Sequence, residues 1–166
     1  MSQKSLSNWL KIIIVLMAIC GIVVYVYAFP ELMSSLAPAM AQSSTQKFAG
    51  MGVYFEWMII LWISAIPCYM VLIFGWFIAS NIGKDKSFTV VNAKYLKYIM
   101  IITLVDCIYF FIANVLMFSG GKSSELIFIV SLIAIFGGVV FAVVMACLSH
   151  LVLKAAKLQE ESDLTI

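Results

Sequence analysis

The chain has no arginine, one histidine, three prolines and few charges of either sign: only 11% of its 166 residues are charged. Each shortage excludes something. One histidine, His150, cannot supply a bis-histidine haem or a His-rich zinc site, and a structural role at the membrane interface suffices for it. The four cysteines, Cys20, Cys68, Cys107 and Cys147, fall one in each apolar stretch, and no two form a C-x-x-C pair. That argues against a quinone-linked thiol oxidoreductase, the four-helix membrane enzyme to consider first, since thiols buried in apolar surroundings are usually inert. No nucleophile elbow, P-loop, metal-binding helix motif or paired carboxylates occur. The sequence reads as that of a protein that is not an enzyme and needs no cofactor. A net charge of +2 is also too small to suggest nucleic acid as a partner.

What is abundant is apolar. Hydrophobic residues make up 64% of the chain and the mean hydropathy is +1.12, where soluble domains average roughly 45–50% apolar. A chain of this length cannot hide so much apolar surface from water, so its solvent is lipid. Crossing about 30 Å of hydrocarbon takes roughly 20 apolar residues in a helix. Four stretches qualify: 19 uncharged residues between Lys11 and Glu31, 27 between Glu56 and Lys84, 24 between Lys97 and Lys122 that include Asp106, and 24 between Glu125 and His150. The expected fold is all-α, a four-helix transmembrane bundle forming a single membrane domain over 1–166. Its helices are expected at about 12–30, 57–80, 92–118 and 126–157. An outer loop over 31–56, a cytoplasmic loop over 81–91 and a cytoplasmic tail over 158–166 complete the reading.

Lys4 and Lys11 before the first apolar run, with Ala39-Met40-Ala41 after it, resemble a signal peptide. The run is longer than a signal core and the small-residue triplet lies about ten residues beyond it. The first helix is therefore read as uncleaved, with Trp9 anchoring its inner end and Pro30 ending it. All ten basic residues are lysine, and eight of them (Lys4, Lys11, Lys84, Lys86, Lys94, Lys97, Lys154, Lys157) fall on one side, against Lys47 and Lys122 on the other. The positive-inside rule then places both termini in the cytoplasm.

Local signals refine this picture. Thr89 or Ser87 caps the third helix, satisfying some of the four N–H groups its start leaves bare, while Lys94, Lys97, Tyr95 and Tyr98 suit the headgroup region. Trp57 suits the outer interface of the second helix. Glu56 beside it is favoured by the dipole of a helix start, and Pro67 removes one backbone hydrogen bond mid-span. In the outer loop, a short interfacial helix before Pro38 and then a Ser/Thr/Gln segment compete with a plain linker. Helices three and four, joined by a short turn after Ser119-Gly120-Gly121, form an antiparallel hairpin. In the fourth, Ala134, Gly138, Ala142 and Ala146 recur every four residues with Gly137 beside them. Small residues at that spacing let two membrane helices approach closely; the partner is either a helix of the same chain or a second copy, giving a homo-oligomer.

Asp106 is the one ionisable side chain well inside the hydrocarbon. A charge there costs about 2.5–3.5 kcal/mol on insertion scales, so such residues face the bundle interior or a pathway. Thr103 one turn before it and Asn114 two turns after share its face, and Ser64 or Ser131 can meet it from neighbouring helices. Two readings stay open: a protonated carboxyl hydrogen-bonding a neighbour, or a proton or cation site.

Two segments, GKDKSFTVVNAKYLKYI over 83–99 and KAAKLQEESDLTI over 154–166, resemble a bacterial membrane family of unknown function, number 2975, also called YoaS-like. Phe29-Pro30 and Ile66-Pro67 fit its pattern as well, and LQEESDLTI is the most specific part. Phe88, Thr89 and Asn92 match the family's segment before the third helix, whereas Val90 and Val91 stand where acidic residues are usual. The resemblance implies a four-helix membrane protein with no established activity and no catalytic residues to carry over. Members encoded beside small helix-turn-helix regulators imply a regulatory membrane partner. The function expected is that of an accessory or regulatory protein acting through its cytoplasmic face, with the lipid bilayer and another membrane or regulatory protein as partners. The alternative is a small homo-oligomeric proton- or cation-coupled transporter that uses Asp106.

Overall fold

The computed structural model describes residues 3–40 and 49–163. These form α1 (Gln3–Val23), a π-helical stretch (Val24–Ala28), α2 (Phe29–Met40), α3 (Ala49–Ile82), α4 (Val90–Ser119) and α5 (Glu125–Asp163). Four spans are long and apolar enough to cross a membrane: Gln3–Leu36, Gly52–Ile82, Val90–Ser119 and Glu125–Glu161. The protein is an all-α, four-helix transmembrane bundle. Neighbours in sequence are neighbours in space: α1 and α2 pack on α3, α3 on α4, and α4 most extensively on α5. Among the described residues the backbones of α1 and α5 do not pack against each other.

Pro30 does not end the first helix. Proline has no N–H to give and its ring crowds the carbonyl four residues back, and the chain meets both demands by widening beforehand. Over Val24–Ala28 the helix is π-wound, and the Phe29 N–H bonds to the Val24 carbonyl, five residues back. The helix then continues through Pro30 to Met40, where an interfacial helix separated from the span was one expectation. The helix of the second span likewise begins earlier than Trp57, at Ala49. Most of the expected outer loop is therefore helix. The Ser/Thr/Gln segment falls largely on 41–48, and the last residues of the tail on 164–166, outside the described residues. Pro67 lies inside α3 without ending it.

The earlier start of α3 changes two readings. Glu56 now lies about two turns inside the helix, so the dipole at a helix start cannot account for it. Its carboxylate instead pairs with Lys122 in the α4–α5 turn, Nζ to oxygen at 2.6 and 2.8 Å. Trp57 is not an anchor in the headgroups: it is 2% exposed, and its Nε1 donates to the Lys122 carbonyl at 3.2 Å. Around it gather Met33, Val53, Met58, Leu61 and Met117. The apolar core thus sits at the end of the bundle away from the termini. Elsewhere large apolar side chains such as Leu16, Ile66 and Phe136 face outward, as lipid as solvent permits.

At the other end the first and last helices and the α3–α4 loop converge. Ser7, almost wholly buried, donates to the Ala79 carbonyl at 2.7 Å. A Cβ on Gly83 would stand 2.6 Å from Ser7 Oγ, so glycine there lets α1 lie close against the end of α3. Lys11 stacks over Trp76, 5.4 Å from the ring centroid. The loop turns through Asp85 at φ 58°, a left-handed position that a short polar side chain tolerates. Thr89 then caps α4, its side chain accepting from the Asn92 N–H at 3.3 Å. Phe74 and Phe77 pack against Tyr95 and Phe74 also against Tyr98, with centroids 5.7–5.8 Å apart; these tyrosines serve helix packing as well as the interface.

The small-residue stripe of α5 divides. Ala142 is 0% exposed, and a Cβ on Gly138 would stand 2.6 Å from Cys107 Sγ on α4. Ala146 is half-buried and Ala134 exposed, and a Cβ on Gly137 would meet nothing. Within the chain, the centre of the stripe is where α5 closes on α4.

Candidate functional site

Asp106 lies midway along α4, where the bundle contains a cavity of about 310 Å³ walled by all four spans. Met17, Gly21 and Tyr25 come from the first span, Pro67, Cys68, Tyr69, Val71 and Leu72 from α3, and Thr103 and Asp106 from α4. Phe141 of α5 completes the lining. The walls are overwhelmingly apolar or aromatic, and Asp106 is their one acidic group.

Ser64, itself buried, donates to Asp106 Oδ2 at 3.0 Å. It is this serine and not Ser131 that meets the carboxyl. The second oxygen, Oδ1, is buried and has no hydrogen-bond partner. An unpaired buried polar atom costs about 1–3 kcal/mol, so the carboxyl is held only by half.

Thr103 shares the cavity but does not bond Asp106; its hydroxyl turns back to the Ile99 carbonyl at 2.9 Å, as threonine readily does in a helix. Asn114 is not part of this site. It is 0% exposed, its amide donates to the Phe110 carbonyl at 3.0 Å, and its Oδ1 is unpaired. A shared helix face therefore brought only one of the two expected neighbours to Asp106, and neither as a hydrogen-bond partner. The wall opposite is fixed by two tyrosines. Tyr69 donates to the Ala18 carbonyl at 3.2 Å and Tyr25 to Cys68 Sγ at 3.7 Å. The four cysteines are free, and among the described residues no three His, Cys, Asp or Glu side chains gather to hold a metal. His150 is exposed.

A second polar centre, with no counterpart in the sequence reading, lies at the end bearing the termini. Asn92 is 1% exposed. Its Oδ1 accepts from Asn81 Nδ2 at 2.7 Å, and its own Nδ2 donates to the Lys86 and Ser87 carbonyls, both at 2.9 Å. Every polar atom of the side chain is used, and together they clamp the α3–α4 loop between the two helices. Outside this clamp runs a groove of about 540 Å³ whose walls include Gln3, Phe88, Ala156, Gln159 and Glu160. The only sequence signal was an asparagine three residues past a capping threonine; nothing local pairs it with Asn81.

The fold and site define a polytopic membrane protein with one half-satisfied carboxyl in its core and a braced polar face at one end. Residues 33–166 match the family described as protein of unknown function (DUF2975), and the chain belongs to that family. It is similar to the uncharacterized membrane protein YoaS of Bacillus subtilis (strain 168), with 27% identity over 135 residues, 79% of this chain and 84% of that protein. No solved structure matches.

Proposed function

We propose that this is a non-catalytic accessory or regulatory protein of the bacterial inner membrane, with both termini in the cytoplasm, acting on a protein partner through its cytoplasmic face. The orientation rests on the eight-to-two lysine split. One observation carries the reading: the groove beside the Asn92 clamp is assembled from the first helix, the α3–α4 loop and the extension of α5 at once. A surface to which three separate parts of the chain contribute, around a fully bonded core, is preorganised for recognition. Phe88, 56% exposed in its wall, is the apolar anchor such a site needs.

The test pairs a topology assay with capture from native membranes. Reporter fusions after residue 45 and at the C-terminus should report outside and inside; an outside C-terminus sinks the orientation. A specific co-purifying protein should be lost when Phe88→Ala is combined with Glu160→Lys. Retention of the same partner by that variant would defeat the groove as the contact.

A second reading is supported by a different observation. Asp106, with a free oxygen in a cavity walled by all four spans, suits a proton- or cation-coupled transporter working as a homo-oligomer. Flux into proteoliposomes that depends on a proton gradient and disappears in Asp106→Asn would favour it, above all if no protein partner is captured.

A further inference from the structure

The mid-membrane cavity has the makings of a ligand site, and this holds whether the protein is a regulator or a transporter. Its volume of about 310 Å³ lies at the lower end of the range for small-molecule pockets, which are mostly apolar with a few placed polar groups. Here the placed group is Asp106. Ser64 fixes one carboxyl oxygen by a 3.0 Å hydrogen bond, which leaves the other buried and without a partner. Tyr25, Tyr69 and Phe141 supply aromatic surface in the same walls.

We infer that this cavity binds a membrane-soluble amine: a compact apolar body carrying one basic nitrogen, which pairs with Asp106 Oδ1. The charge argument does not depend on which partner holds the proton. An ammonium with a carboxylate, or an amine with a carboxylic acid, is neutral overall, so the pair avoids leaving a net charge in hydrocarbon. An anion would meet the carboxyl with no cation in the walls. A pure hydrocarbon would leave Oδ1 unpaired, at the usual penalty for a buried polar group. The aromatic walls favour the same class, since rings attract cations over their faces.

The way in is from the lipid. Met17 and Gly21 on the first span and Phe141 on α5 line one cavity, yet the backbones of α1 and α5 do not pack together. Among the described residues, the seam between them is a side of the cavity that helix packing does not close. A ligand that partitions into the bilayer reaches Asp106 there without crossing the polar faces.

The test uses the purified full chain in a neutral detergent, with N,N-dimethylbenzylamine as probe and isobutylbenzene, its hydrocarbon isostere, as control. Thermal unfolding is followed at increasing concentrations of each. The amine should stabilise the wild-type protein at concentrations at least tenfold lower than those needed for Asp106→Asn, while isobutylbenzene should act alike on both. Equal stabilisation of the wild type by the two compounds, or an amine effect that Asp106→Asn leaves intact, overturns the proposal. Should Asp106→Asn fail to fold, Met17→Trp decides, because it keeps the carboxyl and fills the cavity from the seam. At least tenfold weaker stabilisation by the amine in that variant is expected, and undiminished stabilisation refutes the site. Glu56→Gln removes the exposed carboxylate of the far end; loss of the amine effect there instead would place binding at the wrong carboxyl.

Discussion

Two polar side chains on the same helix, the buried Asn92 at the start of α4 and the half-buried Asp106 at its middle, are treated in opposite ways. Asn92 spends all its hydrogen-bonding capacity on Asn81 and on two loop carbonyls. Asp106 has one bond, from Ser64, and one oxygen left over. A fully bonded polar group in a low-dielectric setting fixes a unique structure, whereas a half-bonded one is costly. The first holds a loop still, and the second leaves an acceptor free for the amine proposed above. The difference teaches where to look for structure and where to look for a ligand.

That contrast can be broken experimentally, and the largest effect is expected at Asn92. Asn92→Ala leaves the Asn81 amide and two loop carbonyls without their partner; at about 1–3 kcal/mol for each group that stays buried and unpaired, a loss of about 3 kcal/mol is expected in reversible unfolding from detergent. A loss below about 1 kcal/mol would mean that water replaces the clamp, and that the end with the termini is no better braced than the middle.

Gly138→Leu should follow closely. A Cβ at that position already stands 2.6 Å from Cys107 Sγ, so a longer side chain must push α5 off α4, with an overpacking cost of about 1–3 kcal/mol. Unchanged stability would show that the hairpin is looser than its contacts suggest. The same substitution at Gly137, where an added Cβ meets nothing, should be close to neutral.

A smaller effect is expected at Asp106 itself. Asp106→Leu strands the Ser64 hydroxyl but also removes the unpaired oxygen, so the two consequences oppose each other. The net change should stay within about 1 kcal/mol, the scale of one hydrogen bond, even though the site is mid-membrane. A loss of about 3 kcal/mol would reveal that the carboxyl is as well bonded as Asn92, and would remove the contrast. Asp106→Asn should be milder still, because it keeps the size and an acceptor for Ser64.

The smallest effect should be at the far end, where Glu56 and Lys122 pair with their side chains about two-fifths exposed. Exposed ion pairs contribute about 0–1 kcal/mol, so Glu56→Gln should shift stability by about 0.5 kcal/mol or less, and salt should shrink the difference further. A larger and salt-insensitive loss would mark this pair as a third braced centre. Trp57, which donates to the carbonyl of the same lysine, would then be the more important tie.

Much of this molecule was legible in its sequence. Four apolar runs of sufficient length set the number of spans, because a helix must be about 20 residues long to cross hydrocarbon and must satisfy its own backbone there. An even number of spans placed the termini at the same end, and Thr89 announced the start of α4 through a capping chemistry that is local. Where the sequence reading failed, it failed on features that are not local. Pro30 signals a helix end by every local rule, yet a π-wound stretch ahead of it lets the helix continue. Trp57 and Glu56 read as residues of a helix end, whereas α3 begins at Ala49.

What only the tertiary structure decided is which polar groups meet. Ser64 and Asp106 are 42 residues apart, Glu56 and Lys122 are 66 apart, and Asn81 reaches Asn92 across a turn. The reason lies in the solvent. In water, a helix marks its inward face by hydrophobic periodicity. In a bilayer, lipid tails are as apolar as leucine, so the inner and outer faces carry much the same residues. The sequence by itself determined how many spans there are and where the third begins; close packing and pairing of a few buried polar atoms decided which faces turn inward, and with them the position of Asp106 in a cavity shared by all four spans.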